Sequence, residues 1–578
     1  MKRTVIPRGG PVKWCLETPN GLRESDARGL VLLNSPLLNK GTAFSVGERK
    51  ALGLTGLLPP NISTLDTQVK SAYVQYERLP DALGKNIYLT ALHDHNEVLF
   101  YRLLSEHLME MIPAVNGLAF GAAMEAHQHD YRRPRGVHLS IDHAQSIEDA
   151  FANFGAGPKD IDLILATDAE CIPGIGDRGA EGMPFAVSKL AIHTAAGGID
   201  PKRVIPVMLD VGTDRESLRH DPLYVGNRHA RIRGERYDAF IEAYISIVAK
   251  RFPHALLLWE GFAPGNGKRI VERYRSKIRT FDEDIQCAGS VLLAATLSAT
   301  RAAGTLLRGQ RIVVFGTGMA AAEIVGQLRD LMVNEGLSKQ EAAAHFWHVD
   351  GRGSQTTGAV PQPLEDQETH TLQAAATEGR AHDPSGYGAC LAEVVSRVRP
   401  TILIGASAVP GSFTRTIVKE MAAHAERPVV FMLSNSPAQA EASPADLIAW
   451  SGGRALVAAG GAFAPVTYRG VTYAVAQLNN AMLYPGLALG AIVSRASKIS
   501  DGMLVAAARA LSSLVTVRQP GASLLPQIDD LRNVSVTVAA AVAETAIAEG
   551  LAGVMSGDIV EQVRAAMWVP EYRQTLAW

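Results

Sequence analysis

The most constraining feature of this chain is a short turn, Gly316-Thr317-Gly318-Met319-Ala320-Ala321, set directly after the apolar run Arg311-Ile312-Val313-Val314-Phe315. Small residues at its first, third and sixth positions let the backbone turn tightly and approach a pyrophosphate, whose charge the positive end of a following helix stabilises. A helix-compatible stretch does follow, through Leu331. The triplet alone is a weak signal in a chain with 53 glycines, and the flanking strand and helix make it specific. Gly316, Gly318 and Ala321 are therefore candidate cofactor-binding residues. An acidic residue ending the next strand binds the ribose hydroxyls in such a unit, and Asp350 after His345-Phe346-Trp347-His348-Val349 has that place. The separation exceeds the usual spacing of about 20 residues because an extra helix intervenes, beginning at the capping box Ser338-Lys339-Gln340-Glu341. The Asp350 carboxylate repels a 2′-phosphate and so favours NAD; Arg352 could attract one, which leaves NADP open.

The same strand pattern recurs at residues 346–349, 401–404, 429–433 and 455–457, each an apolar run closed by a small or polar residue. That rhythm predicts a doubly wound domain over 285–478. Earlier runs, residues 162–166 and 204–209, alternate with helix-like stretches and predict a second α/β domain over 131–284, completed by 479–550. Between about 70 and 128 the apolar residues recur at helical spacing, giving a helical N-terminal region, 1–130; residues 551–578 form a tail. The fold class is thus α/β: a doubly wound Rossmann-type NAD domain, an α/β catalytic domain and a helical N-terminal region. A chain of 578 residues exceeds what one core usually supports, in keeping with several domains.

Composition narrows the partners. With 47% hydrophobic and 20% charged residues and a net charge of −2, the chain is neither disordered nor basic enough to imply nucleic acid. Its four cysteines, Cys15, Cys171, Cys287 and Cys390, lack metal-site or disulfide-framework spacing, which fits a reducing, cytoplasmic setting. The first ten residues hold no apolar signal stretch, and the most apolar later run, 534–543, meets Glu544 short of a membrane span. No membrane partner is expected.

Several ordered motifs are similar to those of the malic enzyme family and together cover nearly the whole chain. The N-terminal half carries Leu38-Asn39-Lys40-Gly41-Thr42-Ala43-Phe44, Leu57-Leu58-Pro59-Pro60, Asn96-Glu97 and Tyr131-Arg132-Arg133-Pro134-Arg135-Gly136. Gly176-Asp177-Arg178-Gly179 and Thr280-Phe281-Asp282-Glu283-Asp284-Ile285-Gln286 resemble the family's catalytic segments. Ser434-Asn435-Ser436-Pro437-Ala438-Gln439-Ala440-Glu441 and Gln477-Leu478-Asn479-Asn480 resemble its substrate-facing loops. The resemblance implies NAD-dependent oxidation and decarboxylation of malate or a similar small 2-hydroxy acid, assisted by Mg²⁺ or Mn²⁺, in a homodimer or homotetramer. Lys189 falls on the family's general base, and Glu283 on the carboxylate that partners it. Glu260 and Asp284 match two of three metal ligands. Asn435, Asn479 and Asn480 fall where the family binds substrate carboxylate and cofactor amide.

The chain departs from the pattern at four places. The third metal ligand is Gly261, which leaves Asp282 as the neighbouring carboxylate able to help. Asn116 stands at the family's proton-donating tyrosine, and an amide donates no proton near neutral pH. Cys171 stands at the arginine that clamps the substrate carboxylate, and a thiol offers neither its charge nor its fork. Met319 replaces an acidic residue within the fingerprint. Each lost charge-assisted contact costs about 1.5–3 kcal/mol, so ordinary malate turnover is expected to be severely reduced unless other groups substitute, and a substrate with a different group at its far end would not need the arginine. Two alternatives stay open: a non-catalytic nucleotide-binding subunit, and a malolactic-type decarboxylation in which bound NAD is reduced and reoxidised within one turnover.

Overall fold

The computed structural model describes residues 16–17, 23–116, 133, 135–316, 319–349, 388–553 and 557–577. Helical spacing at the N-terminus becomes α1 (Leu65–Glu77), α2 (Ala82–His95), α3 (Glu97–Glu106) and α4 (Leu108–Asn116). The first three start where a side-chain oxygen, from Thr64, Asp81 or Asn96, accepts an N–H of the opening turn that has no partner within the helix. Residues 117–128 of the expected helical stretch lie outside the described residues. There follow β1 (Val137–Ser140), β2 (Leu163–Thr167), α5 (Met183–Gly197), β3 (Val204–Asp210), β4 (Leu256–Trp259) and β5 (Thr280–Asp282). The later elements are α6 (Ala288–Ala303), β6 (Ile312–Phe315), α7 (Met319–Asn334), β7 (Phe346–Val349), β8 (Ile402–Gly405), α8 (Arg415–His424), β9 (Val429–Met432) and β10 (Leu456–Ala459). Last come β11 (Ala476–Gln477), α9 (Tyr484–Val493), α10 (Asp501–Ser513) and α11 (Leu531–Ala548).

These elements fall into two compact units, Met1–Ile161 with Arg178–Pro253 and Met567–Trp578, and Asp162–Asp177 with His254–Ala566. The stretches bearing β2, β4 and β5 belong to the same unit as the doubly wound sheet. In the first unit β1 lies parallel to β3, with Val137 opposite Val207, and α5 packs on β3 and α3. The chain's end returns here: Thr575–Ala577 pairs parallel with Arg23–Ser25, and the Thr575 N–H donates to Glu48 Oε1 at 3.0 Å. Glu48 also holds Lys40 in a buried ion pair.

In the second unit β2, β4 and β5 run parallel side by side. A separate six-stranded sheet has the order β11-β10-β9-β8-β6-β7 with every pairing parallel. Strands β6, β8, β9 and β10 are buried along their whole length, as expected of a parallel sheet covered on both faces. The extra helix before β7 starts at Ser338 with both bonds of the capping box formed. Helix α11 is long and apolar enough to cross a membrane and runs on through Glu544, which faces solvent. It is nevertheless a core helix. It packs on α9 and α10, and a Cβ added at Gly490 of α9 would lie 2.6 Å from the Ala539 carbonyl oxygen, a closeness that only glycine allows.

Candidate active site

Parallel register brings polar residues together at one edge of β2, β4 and β5: Ala166 is opposite Trp259, and Trp259 opposite Asp282. Glu260 directly follows β4, Glu283 and Asp284 follow β5, and Cys171 lies on the loop after β2. Glu260 and Glu283 are fully buried. Gly261 ties the loops together. Its carbonyl accepts the Cys171 N–H at 2.9 Å, and its own N–H donates to Asp284 Oδ2 at 2.8 Å. Its φ of 71° is one that glycine adopts freely.

Asp282, the neighbouring carboxylate, caps a turn. Its Oδ1 accepts the Ile285 N–H at 2.9 Å, and its N–H donates to Gln286 Oε1 at 2.9 Å, which together cap the turn Glu283–Cys287. Burial, and then the charges of Asp284 and Glu283, push its pKa up to about 8 against the opposing Ile285 N–H. Among the described residues no set of three His, Cys, Asp or Glu side chains is grouped to hold a metal ion. The pair Glu260 and Asp284 still suits Mg²⁺ or Mn²⁺: the donors are all oxygen, and the like-charge crowding that raises Asp282 is what a cation relieves. The Cys171 side chain reaches solvent, and its thiol pKa is raised by partial burial and by the negative charges of Asp284, Glu170 and Asp168.

The carboxylate turn is joined to the fingerprint helix. Glu283–Cys287 packs on α7, where Gln327 Nε2 donates to the Gln286 carbonyl at 2.7 Å and Ser290 Oγ donates to Gln327 Oε1 at 2.8 Å. It also packs on the turn Asn480–Met482. Asn479 Oδ1 caps that turn by accepting the Ala481 N–H at 2.9 Å, and Asn480 is half-buried within it. Asn435 is exposed on the loop after β9. Gly316 takes φ 128°, and a Cβ there would lie 2.5 Å from the Ala406 carbonyl oxygen, so the first fingerprint position accepts glycine alone. Gly316 directly follows β6, which lies between β7 and β8, at the point where strand order reverses and dinucleotides bind in such sheets. Gly318, Asp350 and the Ala321 side chain lie outside the described residues.

In the first unit Lys189 is buried on α5, its Nζ 5.6 Å from the centre of the Phe185 ring. Asn116 closes α4 beside this helix: Ser188 Oγ donates to the Phe185 carbonyl at 2.7 Å and stands 3.2 Å from Asn116 Oδ1. Sequence reasoning gave no role to Gln286, Gln327, Gly267 or Glu441. The first two meet only through folding. The close fit of Gly267 is equally invisible in a linear pattern: a Cβ there would lie 2.3 Å from Asp282 Oδ2.

A doubly wound sheet with a glycine cradle at its switch point, joined to buried strand-end carboxylates, defines a dinucleotide-dependent oxidoreductase. Comparison with known proteins narrows the class. Residues 93–275 match the family "Malic enzyme, N-terminal domain" and residues 285–547 match "Malic enzyme, NAD binding domain". The chain is 50% identical over 556 residues to NAD-dependent malic enzyme 3 of Bacillus subtilis, covering 96% of this chain and 98% of that one. It is 42% identical over 547 residues to the NAD-dependent malic enzyme of Sodalis glossinidius, covering 94% and 96%. The chain belongs to the malic enzyme family. Crystal structures of malic enzymes from Entamoeba histolytica and Pyrococcus horikoshii share the fold, each with TM-score 0.52 and 21% identity. The first covers 89% of this chain and 90% of that one, the second 73% and 85%.

Proposed function

We propose that this chain carries out NAD-dependent oxidation and decarboxylation of malate or a malate-like 2-hydroxy acid. The observation that carries the reading is the Gln327–Gln286 link, which fastens the carboxylate-bearing turn to the helix that opens the dinucleotide site. Glu260 and Asp284 would hold Mg²⁺ or Mn²⁺, which when bound would supply positive charge at the substrate's hydroxyl oxygen, and bound NAD would supply the hydride acceptor. Lys189 would take the hydroxyl proton, with Glu283 as its carboxylate partner. Asn435, Asn479 and Asn480 contact the substrate carboxylate and the cofactor amide. Gly316, Gly318 and Ala321 admit the pyrophosphate, and Asp350 binds the ribose. Cys171 at the position where family resemblance implies an arginine fits a substrate that carries a group other than a carboxylate at its far end. Residues 131–284 with 479–550 serve as the catalytic domain and 285–478 as the nucleotide domain. The enzyme works in the cytoplasm as a homodimer or homotetramer assembled through residues 1–130.

The test is NADH formation by the full chain with Mn²⁺ over a panel of malate and substituted malates. Turnover with at least one member supports the reading. No turnover with any member refutes it, and lactate appearing without free NADH assigns the malolactic alternative instead.

A further inference from the structure

Glu441 is one of the buried acids to which the proposed reaction gives no role. Glu441 is fully buried at the end of the loop that follows β9, yet its hydrogen bonds reach a different loop, the one between β8 and α8. Its Oε1 accepts three hydrogen bonds, from the Ser407 N–H at 2.9 Å, the Ser407 hydroxyl at 2.8 Å and the Ala408 N–H at 3.2 Å. Its backbone carbonyl accepts the Phe413 N–H at 3.1 Å, so one residue fixes both ends of that loop. The loop it holds is strained: Ala408 has φ 53°, a left-handed conformation that residues with a Cβ rarely keep without support. The carboxylate supplies that support. Glycine at position 405 makes the approach possible, since a Cβ there would lie 2.5 Å from the Glu441 carboxyl carbon.

This loop borders the cofactor crevice. The backbone of Ala406 and Ser407 is what a Cβ on Gly316 would strike, at 2.5 Å from the Ala406 oxygen and 2.9 Å from the Ser407 nitrogen. Ala408 itself is exposed. The two halves of the crevice differ. In a doubly wound sheet the adenosine ribose goes to the acid ending the second strand, here β7, on one side of β6. Strand β8 lies on the other side, so by the same rule the nicotinamide half of a bound cofactor would fall on the side of the Ser407–Ala408 turn.

We propose that Glu441 is a positioning residue for the nicotinamide half of the cofactor, acting by holding the Ser407–Ala408 turn in its strained form. The proposal rests on the reading of the crevice as a dinucleotide site. It is tested by measuring the binding of NADH and of ADP to the full chain and to Glu441→Ala and Glu441→Gln, alongside the unfolding temperature of each. Glutamine keeps an acceptor oxygen in place, so E441Q is expected to bind NADH within about threefold of the parent chain. E441A is expected to bind NADH at least tenfold more weakly while its affinity for ADP, which carries only the adenosine half, changes less than threefold. Equal loss of both ligands in E441A would make the residue a general structural support and overturn the proposal, as would unchanged NADH binding. If E441A does not fold, Glu441→Asp, whose shorter side chain withdraws the carboxylate from the Ser407 and Ala408 N–H groups, decides by the same two ligands: selective loss of NADH supports the role, and equal loss of both or unchanged binding of both overturns it. A parent chain that binds neither ligand sinks the dinucleotide reading itself, a result distinguishable from either outcome above.

Discussion

Replacing Gly316 by alanine tests the cofactor cradle through a geometry that leaves little room for compensation. The added Cβ would lie 2.5 Å from the Ala406 oxygen, 2.6 Å from its carbonyl carbon and 2.9 Å from the Ser407 nitrogen. All three are backbone atoms, so no side chain can swing aside. The residue also takes φ 128°, where a Cβ-bearing residue costs about 1–3 kcal/mol. Overpacking of this kind adds about 1–3 kcal/mol. Together they give about 2–6 kcal/mol, shared between folding of the doubly wound sheet and affinity for the dinucleotide. Since each 1.4 kcal/mol is a factor of about ten, even the lower bound taken wholly in binding weakens NADH by over tenfold. Fluorescence titration with NADH reads that part, and thermal unfolding reads the rest. A G316A chain that binds NADH within twofold of the parent and unfolds at the same temperature would show that the Gly316–Ala406 approach does not shape the site.

Further outcomes follow from the same contacts. Asp284→Asn removes the charge that the Gly261 N–H orients, and Mn²⁺ affinity, read by titration without substrate, is expected to fall about tenfold or more; unchanged affinity removes Asp284 from the cation site. Gly267→Ala places a Cβ 2.3 Å from Asp282 Oδ2, so the cap on the Glu283–Cys287 turn must shift; a drop in turnover of about tenfold is expected, and an active, equally stable variant contradicts it. His93 is held neutral, its pKa pushed well below the ordinary imidazole value by burial and then by the charges of Arg135 and Arg133. The unfolded chain takes up that proton near pH 6.5 and the native chain does not, so this contribution is intact above about pH 6.5 and is lost as pH falls below it. The unfolding temperature of His93→Gln should therefore fall less between pH 7 and pH 5 than that of the parent; parallel slopes refute the assignment.

Much of the fold was legible locally. Strand β7 falls on the expected residues 346–349, β6 and β9 within one residue of the expected limits, and the capping box at Ser338 is formed as read. These features depend on neighbours in sequence, where side-chain period and turn chemistry act directly. The site was legible less evenly. The carboxylates of Thr280-Phe281-Asp282-Glu283-Asp284 could be seen as a cluster, but which of them caps a turn could not, because Asp282 is assigned by its bonds to Ile285 and Gln286. The clasp between Thr575 and Glu48 was hidden for a plainer reason: it joins segments at opposite ends of the chain, and no period or motif records such a pairing. Glu441 could be quoted as part of a motif, yet its partners Ser407 and Ala408 come from the loop of another strand.

At the centre of the proposal, Lys189 would accept the hydroxyl proton, a carboxylate-held cation would polarise that oxygen, and a bound nicotinamide would take hydride from the carbon that carries it. The most direct measurement compares NADH formation by the parent chain and by Lys189→Ala, with Mn²⁺ and the best substrate of the malate panel, across pH 6 to 9. Loss of the base lowers the rate about 10²–10⁴-fold throughout that range. Turnover by K189A at the parent rate, with the same pH profile, would contradict the account.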